Sequence, residues 1–138
     1  MKGYIKMTER EWDKKLKIQT DGRDDSHEDE YHYPYEPTPY AVLERLAESG
    51  YISQGDRVID YGCGKGRVGF FLNHELDCHV TGVEFDEKIY QQAIKNISTY
   101  SKSRNIRIIR ENADEYKVCN EERFYFFIIQ MMNICRIL

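Results

Sequence analysis

The chain has 138 residues, with 20 Lys and Arg against 24 Asp and Glu and a formal net charge of −4. That length allows one domain with a modest core, and that charge excludes a global field drawing the chain to a phosphate backbone. The sequence has no apolar stretch of signal-peptide or membrane-spanning type, and its four cysteines, Cys63, Cys78, Cys119 and Cys135, form no C-x-x-C pair; a cytoplasmic chain with buried, reduced thiols is expected, with no metal site.

The first twenty residues predict a short amphipathic helix, because Thr8 and Glu11 make a capping-box pattern and Trp12 and Leu16 stand four apart. Its mixed charges argue against a membrane anchor. Residues 21–30 carry six acids and no large apolar side chain, the composition of a solvated linker. His27 lies among those carboxylates, but nothing in the sequence orders them into a metal site. The next ten residues hold four of the eleven tyrosines and all three prolines, so this segment reads as stiff and extended. It is either an aromatic lid over a ligand cleft, with Tyr33, Tyr35 and Tyr40 lining it, or a cover for the sheet edge. Thr38 as N-cap and Pro39 as first helical residue then start a helix through Leu43, Leu46 and Ala47 that Gly50 closes.

Arg57 to Tyr61 is a β-branched run that reads as a buried parallel strand, and Val68, Phe71, Leu72 and Leu76 follow at helical spacing. Between them stand Gly62, Gly64 and Gly66, a tight loop whose backbone a ligand can approach closely at the carboxyl end of the strand. Gly64 to Gly69 also matches the G-x-G-x-x-G dinucleotide pattern as a string. The acid separates the two parses: a pyrophosphate wants N–H donors and no nearby carboxylate, whereas Asp60 suits a cationic or amine-bearing ligand. Residues 60–66 resemble motif I of the class I S-adenosylmethionine-dependent methyltransferases, an acid followed by G-x-G-x-G. The resemblance implies a Rossmann-like α/β fold, S-adenosylmethionine as cofactor and transfer of a methyl group to an acceptor.

A second apolar strand, Cys78 to Glu84, ends on an acid placed to accept hydrogen bonds from two ribose hydroxyls. The resemblance gives Glu84 that role and sets Phe85 against the adenine. A helix is expected from Asp86, its N-cap, to about Tyr100, buried through Ile89, Ala93, Ile94 and Ile97. Ile106 to Ile109 reads as a third strand. Asp114 follows its end and, by resemblance, meets the adenine amino group; Glu111 and Glu115 are close enough to compete for that place. Pro37, Thr38 and Pro39 are similar to the threonine-proline element that amino-methylating enzymes place before motif I at the methionine end of the cofactor. Lys102, Arg104, Arg107 and Arg110 form a local basic patch, so small molecule, protein and nucleic acid all stay open as acceptors.

A fourth strand is expected from Phe124 to Ile129, and the resemblance implies a partial parallel sheet of order 3-2-1-4 flanked by helices. The expected organisation is an N-terminal helix and acidic linker over residues 1–30, then an S-adenosylmethionine-binding domain over 31–138. Gln130-Met131-Met132 stands where related enzymes carry Asn or Asp followed by Pro to hold an acceptor nitrogen, and no catalytic residue is assigned. The chain therefore reads as a methyltransferase truncated or frame-shifted after Ile129, or as a cofactor-binding fragment without turnover, with a sheet edge open to self-association.

Overall fold

The structure, a computed structural model, describes residues 6–22, 36–102, 105–112, 115 and 124–127. Helix α1 (Glu9–Leu16) opens as its sequence predicts: the Thr8 hydroxyl oxygen accepts the Glu11 N–H at 3.1 Å and Thr8 donates back to the Glu11 carboxylate. Helix α2 (Tyr40–Ser49) begins later than expected. Pro39 and not Thr38 is its N-cap, and no side chain of its own caps it. The Tyr40 N–H donates instead to Glu9 Oε1 at 3.0 Å, so α1 supplies the acceptor that local sequence does not. Gly50 ends the helix in the left-handed conformation, as expected.

From there strands and helices alternate: β1 (Arg57–Tyr61), α3 (Arg67–Leu76), β2 (His79–Glu84), α4 (Glu87–Thr99), β3 (Ile106–Arg110) and β4 (Phe124–Phe127). Asp86 caps α4 through the Ile89 N–H at 3.0 Å. All pairings are parallel and the strand order is β3-β2-β1-β4, as the sequence predicts. Asp60 pairs with Gly82 and Tyr61 with Val83, so the ends of β1 and β2 come level. Parallel strands bring their carboxyl ends to one edge of the sheet, which is where such folds bind ligands.

The sheet separates two apolar clusters. Val58 and Val80 face Phe70, Phe71, Leu43 and Leu46 in the larger one, while Ile59, Tyr61 and Val83 pack with Ile109 in the other. The larger cluster also takes in Trp12, Leu16 and Ile18. The Trp12 ring stacks on Tyr40 at 5.5 Å and meets Phe71 edge-on at 5.1 Å, contacts worth about 0.5–1.5 kcal/mol each beyond area burial. The N-terminal helix expected to stand apart from the domain thus shares its core. Residues 23–35, which contain the proposed boundary, His27, Tyr33 and Tyr35, lie outside the described residues, as do Cys119, Cys135 and 128–138. Among the described residues no helix is long and apolar enough to cross a membrane.

Candidate cofactor site

The glycine loop folds against the end of β2. The N–H groups of Gly62 and Cys63 both donate to the Val83 carbonyl, at 2.7 and 3.0 Å, and the Gly64 N–H donates to Glu84 Oε1 at 2.9 Å. Gly62, Gly64 and Gly66 all have positive φ, between 57° and 97°, which a residue with a Cβ rarely adopts. Gly66 is the N-cap of α3. Gly82 contributes from the other side: a Cβ there would lie 2.8 Å from Cys63 Sγ, so the missing side chain lets the loop settle onto β2.

Two carboxylates meet at this edge. Glu84 is half-buried; Oε1 holds Gly64 and Oε2 accepts the Asp86 N–H at 2.9 Å. The backbone N–H groups of Gly64, Asp86 and Phe85 all act on this carboxylate, part of the roughly four acceptor positions it has. Burial raises the Glu84 pKa, and the N–H groups of Asp86 and Gly64 oppose that shift. Asp60 is fully buried, and among the described residues neither of its carboxyl oxygens has a hydrogen-bond partner. Burial first, and the Glu84 charge second, push its pKa well above the usual carboxylate range. Beside it Cys63 is also buried, and its thiol is pushed up chiefly by burial. Cys78 is a second buried thiol, raised to about 11.

Phe85 is adjacent to Glu84 and 49% exposed, an aromatic face open at the sheet's edge. Thr38 is half-buried, and its carbonyl accepts from Arg67 at 3.1 Å. Asp114 lies outside the described residues. Tyr40 does not line the site: its hydroxyl donates to Asp13 Oδ1 at 2.5 Å beneath Trp12, because the chain buries the ring in the α1–α2–α3 core. The basic patch is also reduced. Lys102 donates to Asp77 Oδ1 and to the His74 carbonyl, Arg110 donates to the Phe85 carbonyl at 3.3 Å, and Arg104 lies outside the described residues. No cluster of metal-ligating side chains occurs among the described residues.

Sequence reasoning missed Arg67. It is 3% exposed and reaches Thr20, Asp21 and Glu9 with its guanidinium 4.2 Å over the Tyr40 ring. Asn96, a polar residue on the buried face of α4, was missed as well. Gly82 carried a legible signal, a glycine inside a strand; Arg67 and Asn96 carried none, because their partners are remote in sequence.

The fold and site define the class: a parallel Rossmann-like domain with an acid and glycine loop after its first strand and a second acid after the next. Residues 58–137 match the family model of the methyltransferase domain. The chain belongs to that family, the S-adenosylmethionine-dependent class I group that residues 60–66 resemble. It is 30% identical over 105 residues to a protein-lysine N-methyltransferase of Saccharolobus islandicus, covering 74% of this chain and 64% of the relative. It is 32% identical over 72 residues to a tRNA1(Val) (adenine(37)-N6)-methyltransferase of Mannheimia succiniciproducens, covering 50% of this chain and 30% of the relative. The chain therefore spans less than two thirds of these curated relatives. In fold it is similar to an RNA methyltransferase from Salinibacter ruber solved with S-adenosyl-L-homocysteine, at TM-score 0.61 and 20% identity, over 72% of this chain and 68% of that one.

Proposed function

We propose that this chain binds S-adenosylmethionine at the glycine loop and serves methyl transfer to a nitrogen acceptor. The observation that supports the reading most strongly is the pairing of a fully buried, unpartnered Asp60 with a Glu84 anchored to the loop itself. In native proteins a buried polar atom without a partner is uncommon, and a ligand donor is one explanation of it. Glu84 would accept from the ribose hydroxyls with its remaining acceptor capacity, and Phe85 would pack on the adenine. Asp60 would meet the amine-bearing end, whose positive charge would favour the ionised carboxylate that burial disfavours in the free chain. Gly62, Gly64 and Gly66 would allow close approach of the backbone, and Thr38 and Asp114 would complete the methionine and adenine ends.

When bound, the cofactor supplies an activated methyl group on a sulfonium, so the chain's own task is binding, alignment and exclusion of water. The nitrogen acceptor is proposed because the Saccharolobus islandicus and Mannheimia succiniciproducens relatives are each named for N-methylation. A cytoplasmic setting agrees with two buried free thiols, and self-association through the edge strand β4 would show as a concentration-dependent mass in sedimentation.

Calorimetric titration tests the cofactor. S-adenosylhomocysteine is expected to bind and NAD is not, and Glu84→Ala is expected to weaken S-adenosylhomocysteine by at least about tenfold, since it removes a charged acceptor. Absence of S-adenosylhomocysteine binding to the unaltered chain would sink the reading. A screen with lysine-containing peptides and tRNA then tests the acceptor.

A further inference from the structure

The residues on either side of Gly66 both reach the same short piece of N-terminal chain. Lys65 Nζ donates to the Asp21 carbonyl at 3.2 Å, and Arg67 donates through Nε to Thr20 Oγ1 at 2.7 Å and through a terminal nitrogen to Asp21 Oδ1 at 3.1 Å. Asn96 closes the arrangement from α4. Its Oδ1 accepts the Gln19 N–H at 2.9 Å, and its Nδ2 donates both to the Gln19 carbonyl at 3.0 Å and to the carbonyl of Lys65, inside the glycine loop, at 2.9 Å. One buried amide thus holds the loop and residue 19 together.

The same guanidinium also binds the Thr38 carbonyl and Glu9, so it joins α1, the lead into α2 and the loop at one point. Glu9 and Asp21 are about half exposed, and ion pairs to such groups contribute little. The buried Arg67–Thr20 hydrogen bond and the Asn96 hydrogen bonds to Gln19 and Lys65 carry the connection; the Arg67, Thr20 and Asn96 side chains are at most 4% exposed.

We propose that residues 18–21 brace the glycine loop, with Arg67 and Asn96 as positioning residues that set its affinity for the adenosyl cofactor. This rests on the cofactor reading above. A loop with three glycines at positive φ is intrinsically permissive, and any ordering left to the moment of binding subtracts from affinity. The brace does that ordering in advance. Coupling of this kind is reciprocal, so a ligand on the loop tightens residues 18–21 by the same factor by which the brace tightens the ligand.

The experiment has two arms. Calorimetry with S-adenosylhomocysteine compares the unaltered chain with Asn96→Ala, Arg67→Lys and the milder Thr20→Val, each below its unfolding midpoint. A loss of about 5–50-fold is expected for Asn96→Ala and Arg67→Lys, and a smaller one for Thr20→Val. Hydrogen exchange then reads the Gln19 and Thr20 amides, which saturating S-adenosylhomocysteine is expected to slow in the unaltered chain, and the Gly62 to Gly64 amides, which Asn96→Ala is expected to accelerate. A merely structural role would lower the melting midpoint while leaving affinity in the folded variants and the ligand effect on Gln19 and Thr20 unchanged; that result overturns the proposal. Should Arg67→Lys fail to fold, the other two variants decide. If the unaltered chain binds no S-adenosylhomocysteine, the cofactor reading fails by itself, and loop amides that exchange equally fast in Asn96→Ala overturn the brace separately.

Discussion

Two groups of buried charge lie on opposite sides of the glycine loop, and the protein treats them differently. On the N-terminal side, Asp13 is 6% exposed and accepts the Thr20 N–H at 2.6 Å, the Thr20 hydroxyl at 2.7 Å and the Tyr40 hydroxyl. Arg67 nearby uses all three guanidinium nitrogens. On the strand-end side, Asp60 is fully buried and its oxygens have no partner among the described residues. Burying a polar group costs several kcal/mol in principle unless hydrogen bonds compensate. The chain compensates Asp13 and Arg67 from within and does not do so for Asp60 among the described residues, the difference expected if Asp13 is structural and Asp60 serves the proposed ligand.

The comparison breaks most visibly if the satisfied side is cut. Asp13→Ala removes three hydrogen bonds and leaves Arg67 with one buried carboxylate fewer; a loss of about 3–5 kcal/mol is expected, read from urea unfolding. A loss under 1 kcal/mol would mean that the Asp13 network is not structural. Gly82→Ala attacks the junction of the two sides. Its Cβ would sit 2.8 Å from Cys63 Sγ, so overpacking of about 1–3 kcal/mol is expected, together with weakened S-adenosylhomocysteine binding as the loop lifts from β2.

Asp60→Asn should act in the opposite direction on stability. The folded-state pKa of Asp60 is raised, so its contribution is fully present at pH values below the unfolded carboxylate's pKa and is lost as pH rises toward and through the folded value, because the unfolded chain ionises first. Glu84, also raised, adds a term of the same sign. Asp60→Asn is therefore expected to lift the ligand-free melting midpoint by a few °C at neutral pH, with a gain that shrinks toward pH 4, while S-adenosylhomocysteine binds more weakly. A midpoint difference that does not change with pH would remove the contrast between the two sides. The smallest effect belongs to the solvent-exposed pair of Lys102 and Asp77. There the hydrogen bond from Lys102 holds the Asp77 carboxyl below its ordinary range, and Lys102→Ala is expected to leave the midpoint at neutral pH essentially unchanged.

Much of the ligand side was legible in advance because its signals are local. Asp60, Gly62, Gly64 and Gly66 fall within seven consecutive residues, and the apolar runs before Asp60 and Glu84 mark strand ends. The N-terminal side was not legible. Thr38 followed by Pro39 has a good helix-start pattern, yet Pro39 became the cap because Glu9 on another helix offered an acceptor to Tyr40. Tyr40, expected near the methyl end, lies under Trp12 for the same reason: α1 packs on the domain instead of leading into it.

By itself the sequence determined the βαβ alternation and the acid-and-glycine loop, since these follow from apolar periodicity, capping and glycine spacing over short stretches, while the sheet order came from the family that residues 60–66 resemble. Only the tertiary structure decided that α1 belongs to the core, that Gly82 admits the loop, that Asn96 ties the loop to residue 19 and that Arg67 unites four segments. The Asn96 contact to residue 19 and the Arg67 hydrogen bonds join residues from 29 to 77 positions apart, a separation at which composition and spacing carry no directional information.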